Sequence, residues 1–152
     1  MAITAGEAKQ QILDDLGTSI DHTSLAVACL GEAFDLLPEA SGDRIEAEPF
    51  RPVPTALGRA KRTHSGFAQR SGIAPASFET PSAGLPSQGV KTFIERSVQE
   101  AIAADNAIAE LQDSMLPIES GDPELRANLS EVRELLAELP VHARQFLRTL
   151  GR

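Results

Sequence analysis

The sequence predicts an all-α protein: an antiparallel bundle of three long helices and one shorter helix, with a proline-rich loop between the second and third. Three observations predict it. Apolar residues recur every three or four positions along four stretches, no stretch of useful length alternates with period two, and proline or a capping residue bounds the stretches. The 152 residues fit a single domain spanning 1–152.

The first helix is expected over about 4–37. Thr4-x-x-Glu7 reads as a capping box that satisfies free amides at the start, and Pro38 supplies the stop. Its apolar positions follow a heptad, with Leu13, Ile20, Val27 and Phe34 in one column and Leu16, Leu30 and Leu37 in the other, interrupted by Thr23. Gly17, Ser24 and Gly31 also recur every seven residues. Each glycine costs a helix about 1 kcal/mol, so this stripe predicts a second helix passing close to it.

The second helix is expected over about 55–71, after Pro49, Pro52 and Pro54. Leu57, Ala60, His64 and Phe67 share one face, and Arg59, Lys61, Arg62 and Arg70 lie largely elsewhere. Residues 72–88, with Pro75, Pro81 and Pro86 among serines and glycines, read as an exposed, mobile loop. The third helix, about 89–116, has the seam Val90, Ile94, Ala101, Ala104, Ile108, Leu111 and Met115 and is ended by Pro117. The fourth, about 123–150, starts with Asp122 as N-cap, Pro123 in the first helical position and Glu124 favourable to the dipole. Its seam is Leu125, Leu129, Val132, Leu136, Leu139, Ala143, Phe146 and Leu150, and Pro140 inside it predicts a kink. At 1.5 Å per residue the three long helices reach about 40–50 Å. None can bury its seam alone, so the bundle is a physical requirement. The layout is similar to up-and-down bundles, ferritin-like ones included; a likeness of layout alone implies no activity.

His22, Leu25, Cys29 and Leu36 lie off the main seam of the first helix, which makes the stretch from 22 to 37 apolar around most of its circumference. A helix of that kind is sandwiched. Either the 38–54 connection covers this outer side, or a second copy of the chain packs on it in a symmetric dimer.

The composition excludes several classes of function. Six Phe with no Tyr or Trp argue against aromatic cages and base-stacking platforms. One cysteine excludes an intrachain disulfide and a cysteine-only metal site. The net charge of −8 disfavours nucleic acid and anionic membrane surfaces as partners, and the longest apolar run, Leu25 to Leu30, cannot span a bilayer. With no signal-peptide pattern at Met1–Leu16, a cytoplasmic setting is expected. The charge is uneven, however: 1–50 carries −8, 51–75 carries +5 and 76–152 carries −5.

Candidate chemistry is sparse. A ferritin-like di-metal site needs Glu-x-x-His, which is absent, and His22, His64 and His142 fall on different helices. No metal or cofactor is expected. Cys29, flanked by Ala28 and Leu30, reads as an inert buried thiol. Asp105 borders the seam of the third helix; it is either a ligand or proton carrier inside the bundle, or a salt-bridge partner of the second helix, or simply exposed at the seam's edge. The basic segment Arg59, Lys61, Arg62, His64 and Arg70 is either a site for an anion or acidic partner, or the complement of Asp14, Asp15, Asp21, Glu32 and Asp35 on the first helix.

The functional expectation is a non-enzymatic bundle acting through protein–protein contacts, self-association through His22, Leu25, Cys29 and Leu36 included. The basic second helix would meet a different partner. The alternative is a small-molecule or metal-binding bundle, enzymatic or not, with a polar site near His64 and Asp105. A phosphate or nucleic-acid site on the basic segment is a third reading.

Overall fold

A computed structural model describes residues 3–37 and 48–150. These form helices α1 (Ala5–Leu36), α2 (Pro52–Arg70), α3 (Val90–Asp113), a short α4 (Leu116–Glu119) and α5 (Pro123–Leu150), with 3₁₀ turns at Glu48–Phe50 and Pro86–Gln88. The all-α bundle is the architecture that the periodicity demands.

The capping chemistry works at both long-helix starts. Thr4 Oγ1 accepts from the Glu7 amide at 3.1 Å, and Asp122 Oδ1 accepts from the Leu125 amide at 3.0 Å. Two boundaries differ from expectation. α2 begins at Pro52 rather than near Thr55, because Pro52 and Pro54 occupy a first turn where no intrahelical amide is lost. α3 stops at Asp113, so Met115 leaves the seam. Met115 takes the left-handed conformation, φ 66°, and is 48% exposed; Pro117 then opens the short α4 instead of ending α3. A β-carbon is strained at that φ, which glycine or asparagine tolerates. Met115→Gly is expected to raise the free energy of unfolding by about 0.5–1 kcal/mol, measured by urea titration. α5 runs unbroken through Pro140.

The principal packed pairs are α1–α3, α2–α5, α1–α2 and α3–α5. Cross-links give their directions. Ser19 Oγ donates to the Ala104 carbonyl at 2.8 Å and His22 Nδ1 lies 2.6 Å from Glu100 Oε2, so α1 and α3 are antiparallel. Arg70, ending α2, meets Asp122 at the start of α5, while Phe50, before α2, meets Phe34 late in α1 and Phe146 late in α5. Every principal pair is therefore antiparallel, and the helices run up, down, down, up instead of alternating as in an up-and-down bundle.

That connectivity explains the long loop. α2 and α3 point the same way on opposite corners, so residues 71–89 must return along the bundle. α2 is about 28 Å long at 1.5 Å per residue, and a chain segment of this length spans it when extended. The segment is a crossover held at a few points: most of its residues are exposed, as the composition suggests, while Ile73, Phe78 and Ala83 turn inward. It leaves α2 through a Schellman turn, with Gly72 at φ 71° and the Ile73 amide donating to the Ala68 carbonyl at 2.9 Å. Partly buried Phe78 then lies 3.7 Å from where a Cβ on Gly17 would stand, and Arg96 Nη1 donates to the Ala83 carbonyl at 2.6 Å.

The core is one continuous cluster that includes Leu16, Ile20, Phe67, Phe93, Ile108, Leu129, Leu136 and Leu139. The closest helix approach uses a different stripe from the one expected. Ser19, Ala26 and Ala33, seven residues apart, are all fully buried on α1, opposite the buried Ser97, Ala101 and Ala104 of α3. Gly17 faces the crossover, and no described residue lies within 4 Å of the missing Cβ of Gly31.

Candidate functional site

The ionisable residues singled out by the sequence do not converge. Asp105 is bound by Arg133 of α5, whose Nε donates to Asp105 Oδ1 at 2.8 Å while Nη1 donates to Gln112 Oε1 at 2.9 Å. The hydrogen bond to Asp105 raises the pKa of Arg133 further. The expected partner on the second helix is thus replaced by one on the last helix, because α3 packs on α5 and sits diagonal to α2. His64 is buried on α2 towards α1, near Leu13, Asp14 and Phe78. It shares no site with Asp105. Among the described residues no group of three or more His, Cys, Asp or Glu side chains is placed to hold a metal ion.

The basic segment is partly neutralised, though not by α1. Arg59 pairs with Glu131 on α5, and Arg70 pairs with Asp122 at 2.8 Å and Glu124 at 3.1 Å. Burial pushes the Asp122 carboxyl up, but hydrogen bonds from Arg70 and from the Leu125 and Glu124 amides, with the Arg70 charge, outweigh it and hold the pKa below the ordinary value. Lys61 and exposed Arg62 have no ion pair among the described residues.

The outer side of α1 is inside. Cys29 is fully buried; burial raises its pKa, and Arg96 and Glu100 of α3 are the charged groups near it. His22 is tied to Glu100, and Leu25 packs partly buried against the core. Leu36, at 37% exposure, and the His22 side chain, at 38%, still face solvent. The fully buried Cys29 cannot belong to the expected self-association surface, whereas His22, Leu25 and Leu36 keep some exposure. The surplus of apolar residues from 22 to 37 is partly absorbed by packing against α3. Residues 48–54 cover another part of the same helix. The remainder of the 38–54 connection, 38–47, lies outside the described residues.

One apolar site remains, at the end of the bundle where α1 finishes and α2 starts. Val27, Leu30, Gly31 and Phe34 of α1, with Phe50 and Pro54, line a groove of about 420 Å³ among the described residues. Its floor is braced by an aromatic cluster. Phe50 meets Phe34 at 5.4 Å and Phe146 at 5.6 Å, edge to face, and Phe34 meets Phe146 at 6.1 Å. Gly31 supplies the gap, since no side chain projects there. The charged groups of the lining are Glu48 and Arg51, and they pair with each other at 2.6 Å. Among the described residues the lining presents no nucleophile and no unpaired acid or base, so the chemistry they offer is burial of apolar groups. The volume lies in the range of ligand pockets. Heptad reading placed Val27 and Phe34 on the seam. It could not show that the seam widens here, which depends on how residues 48–54 return.

Compared with known protein families, with characterised proteins and with solved structures, the chain matches none. No helix among the described residues is long and apolar enough to cross a membrane.

Proposed function

We propose that this is a non-enzymatic helical bundle that acts by binding another protein, and that the groove at Val27, Leu30, Gly31 and Phe34 receives the apolar side of an amphipathic helix from that partner. The observation that carries the reading is an apolar, aromatic-braced groove in which the charged lining groups among the described residues, Glu48 and Arg51, are paired with each other. Helix-in-groove recognition uses anchors spaced like these four residues. Electrostatics favour a basic partner. Glu32 and exposed Asp35 stand beside the groove, and the last turn of α1 contains no basic residue to offset its negative dipole end. A cytoplasmic setting belongs to the same reading, since a reduced thiol such as Cys29 is ordinary there.

Two amphipathic model peptides test it, one of leucine and lysine and one of leucine and glutamate, each fluorescently labelled and titrated with the protein. The lysine peptide should bind with micromolar affinity and the glutamate peptide much more weakly. Gly31→Gln, whose Cβ meets no described residue within 4 Å, should fold normally and weaken binding by about tenfold, equivalent to about 1.4 kcal/mol. Equal binding by wild type and Gly31→Gln, or no binding at all, rejects the reading. A concentration-dependent dimer in light scattering that Gly31→Gln abolishes would replace the foreign helix with a second copy of this chain.

A further inference from the structure

A separate region of the molecule, the crossover and the histidine beneath it, carries an inference beyond partner binding. His64 is 4% exposed, and its Nδ1 has no hydrogen-bond partner. Its ring meets Phe78 of the crossover nearly perpendicularly, with centroids 5.0 Å apart and an interplanar angle of 89°. Phe78 in turn packs over Gly17 of α1. The crossover 71–89 is largely exposed between Gly72 and Gln88. Its inward anchors are Ile73 beside α2, Phe78, and Ala83 with its bond from Arg96. Phe78 is the large anchor in the middle of the span, and the group under it is titratable.

We propose that His64 is a pH-dependent latch for the crossover: the neutral ring seats Phe78 against Gly17 of α1 and against the ring itself on α2, and protonation of the ring releases it. The charged groups around the ring oppose one another. Asp14 on α1 favours the imidazolium and the Leu13 carbonyl accepts from the ring, but burial disfavours the charged form and is the largest influence, so the buried ring takes up its proton below the ordinary histidine range. Lys61, three residues earlier on α2, and Glu79, next to Phe78 in sequence, are the neighbouring charges on the other two elements. A protonated ring would also carry an Nδ1–H that the packed structure leaves without an acceptor. A cation–π contact with Phe78 would compensate only part of that desolvation.

The sign follows. A released ring binds its proton near the ordinary value of about 6.5, and the seated ring only at lower pH. Seating is therefore fully favoured above about pH 6.5 and is lost as pH falls from there towards the value of the buried ring.

Hydrogen exchange followed by mass spectrometry at about pH 7.5 and about pH 5, corrected for the intrinsic rate, provides the test. Amides of 73–84 should lose protection at the lower pH, where the released ring binds its proton more readily than the seated one. Amides in the core turns around Ile108 and Leu129 should not change. His64→Gln should make crossover protection independent of pH, and Phe78→Ala should leave the crossover open at both values. Crossover protection that ignores pH in the wild type overturns the proposal, as does a pH response that persists in His64→Gln. If His64→Gln does not fold, NMR titration of the wild-type ring decides. A His64 titration below the ordinary range that coincides with crossover opening supports the latch. A titration at or above that range, or one uncoupled from the opening, overturns it.

Discussion

Ala26→Leu is expected to destabilise the protein by about 2–3 kcal/mol, while Gly31→Ala, five residues further along the same helix, stabilises it by about 0.5–1 kcal/mol. Both effects follow from which side of α1 meets α3. Ala26 is fully buried in the stripe Ser19, Ala26 and Ala33, and Ser19 is close enough to α3 to bond the Ala104 carbonyl at 2.8 Å. Helices this close leave no room for three more carbons, and overpacking a tight core typically costs about 1–3 kcal/mol. Gly31 lies where a Cβ meets no described residue, so alanine there gains helix propensity without a clash. Urea unfolding of both variants gives the answer. A neutral Ala26→Leu would mean that α1 and α3 are not held at contact distance, and the register through Ser19–Ala104 and His22–Glu100 would then have to be abandoned.

The same pair of residues shows what the sequence could reveal. A small residue every seventh position was visible on α1 in two stripes, Gly17–Ser24–Gly31 and Ser19–Ala26–Ala33. Glycine attracted attention because its cost in a helix is high, but the cost has different causes at its two positions. At Gly17 the open space is filled by Phe78 arriving from a distant segment, and at Gly31 it leaves a groove. Alanine and serine made the close contact with less backbone penalty. Heptad columns and caps are local properties, which is why four helices, the Asp122 cap and the buried thiol of Cys29 were legible. Which corner each helix takes is set by long connections. The sequence paired the basic segment with α1 and Asp105 with α2, yet the order around the bundle sends Arg59 and Arg70 to α5 and Asp105 to Arg133. Proline and serine content likewise marked 72–88 as irregular without revealing that two parallel diagonal helices oblige it to return along the bundle.

The up-down-down-up order also makes one end of the molecule depend on few residues. At the end opposite Arg70 and Asp122, the start of α2 is fixed to α1 and α5 through Phe50, which is 3% exposed and touches Phe34 and Phe146 edge to face. Phe50→Ala is therefore expected to cost about 3–5 kcal/mol, the range for deleting a buried phenyl ring from a core. For a domain of this size that is a large fraction of a total stability of about 5–15 kcal/mol. A double-mutant cycle with Phe146→Ala should return a coupling of about 0.5–1.5 kcal/mol beyond area burial, the usual worth of an aromatic pair. The same ring floors the groove, so at temperatures where Phe50→Ala still folds, the leucine–lysine peptide should bind it more weakly than wild type. Gly31→Gln should weaken peptide binding with no loss of stability, and Phe50→Ala should lower both together. If Phe50→Ala unfolds no more easily than wild type, the aromatic cluster does not hold this end, and the groove loses the rigid floor on which binding of a helix depends.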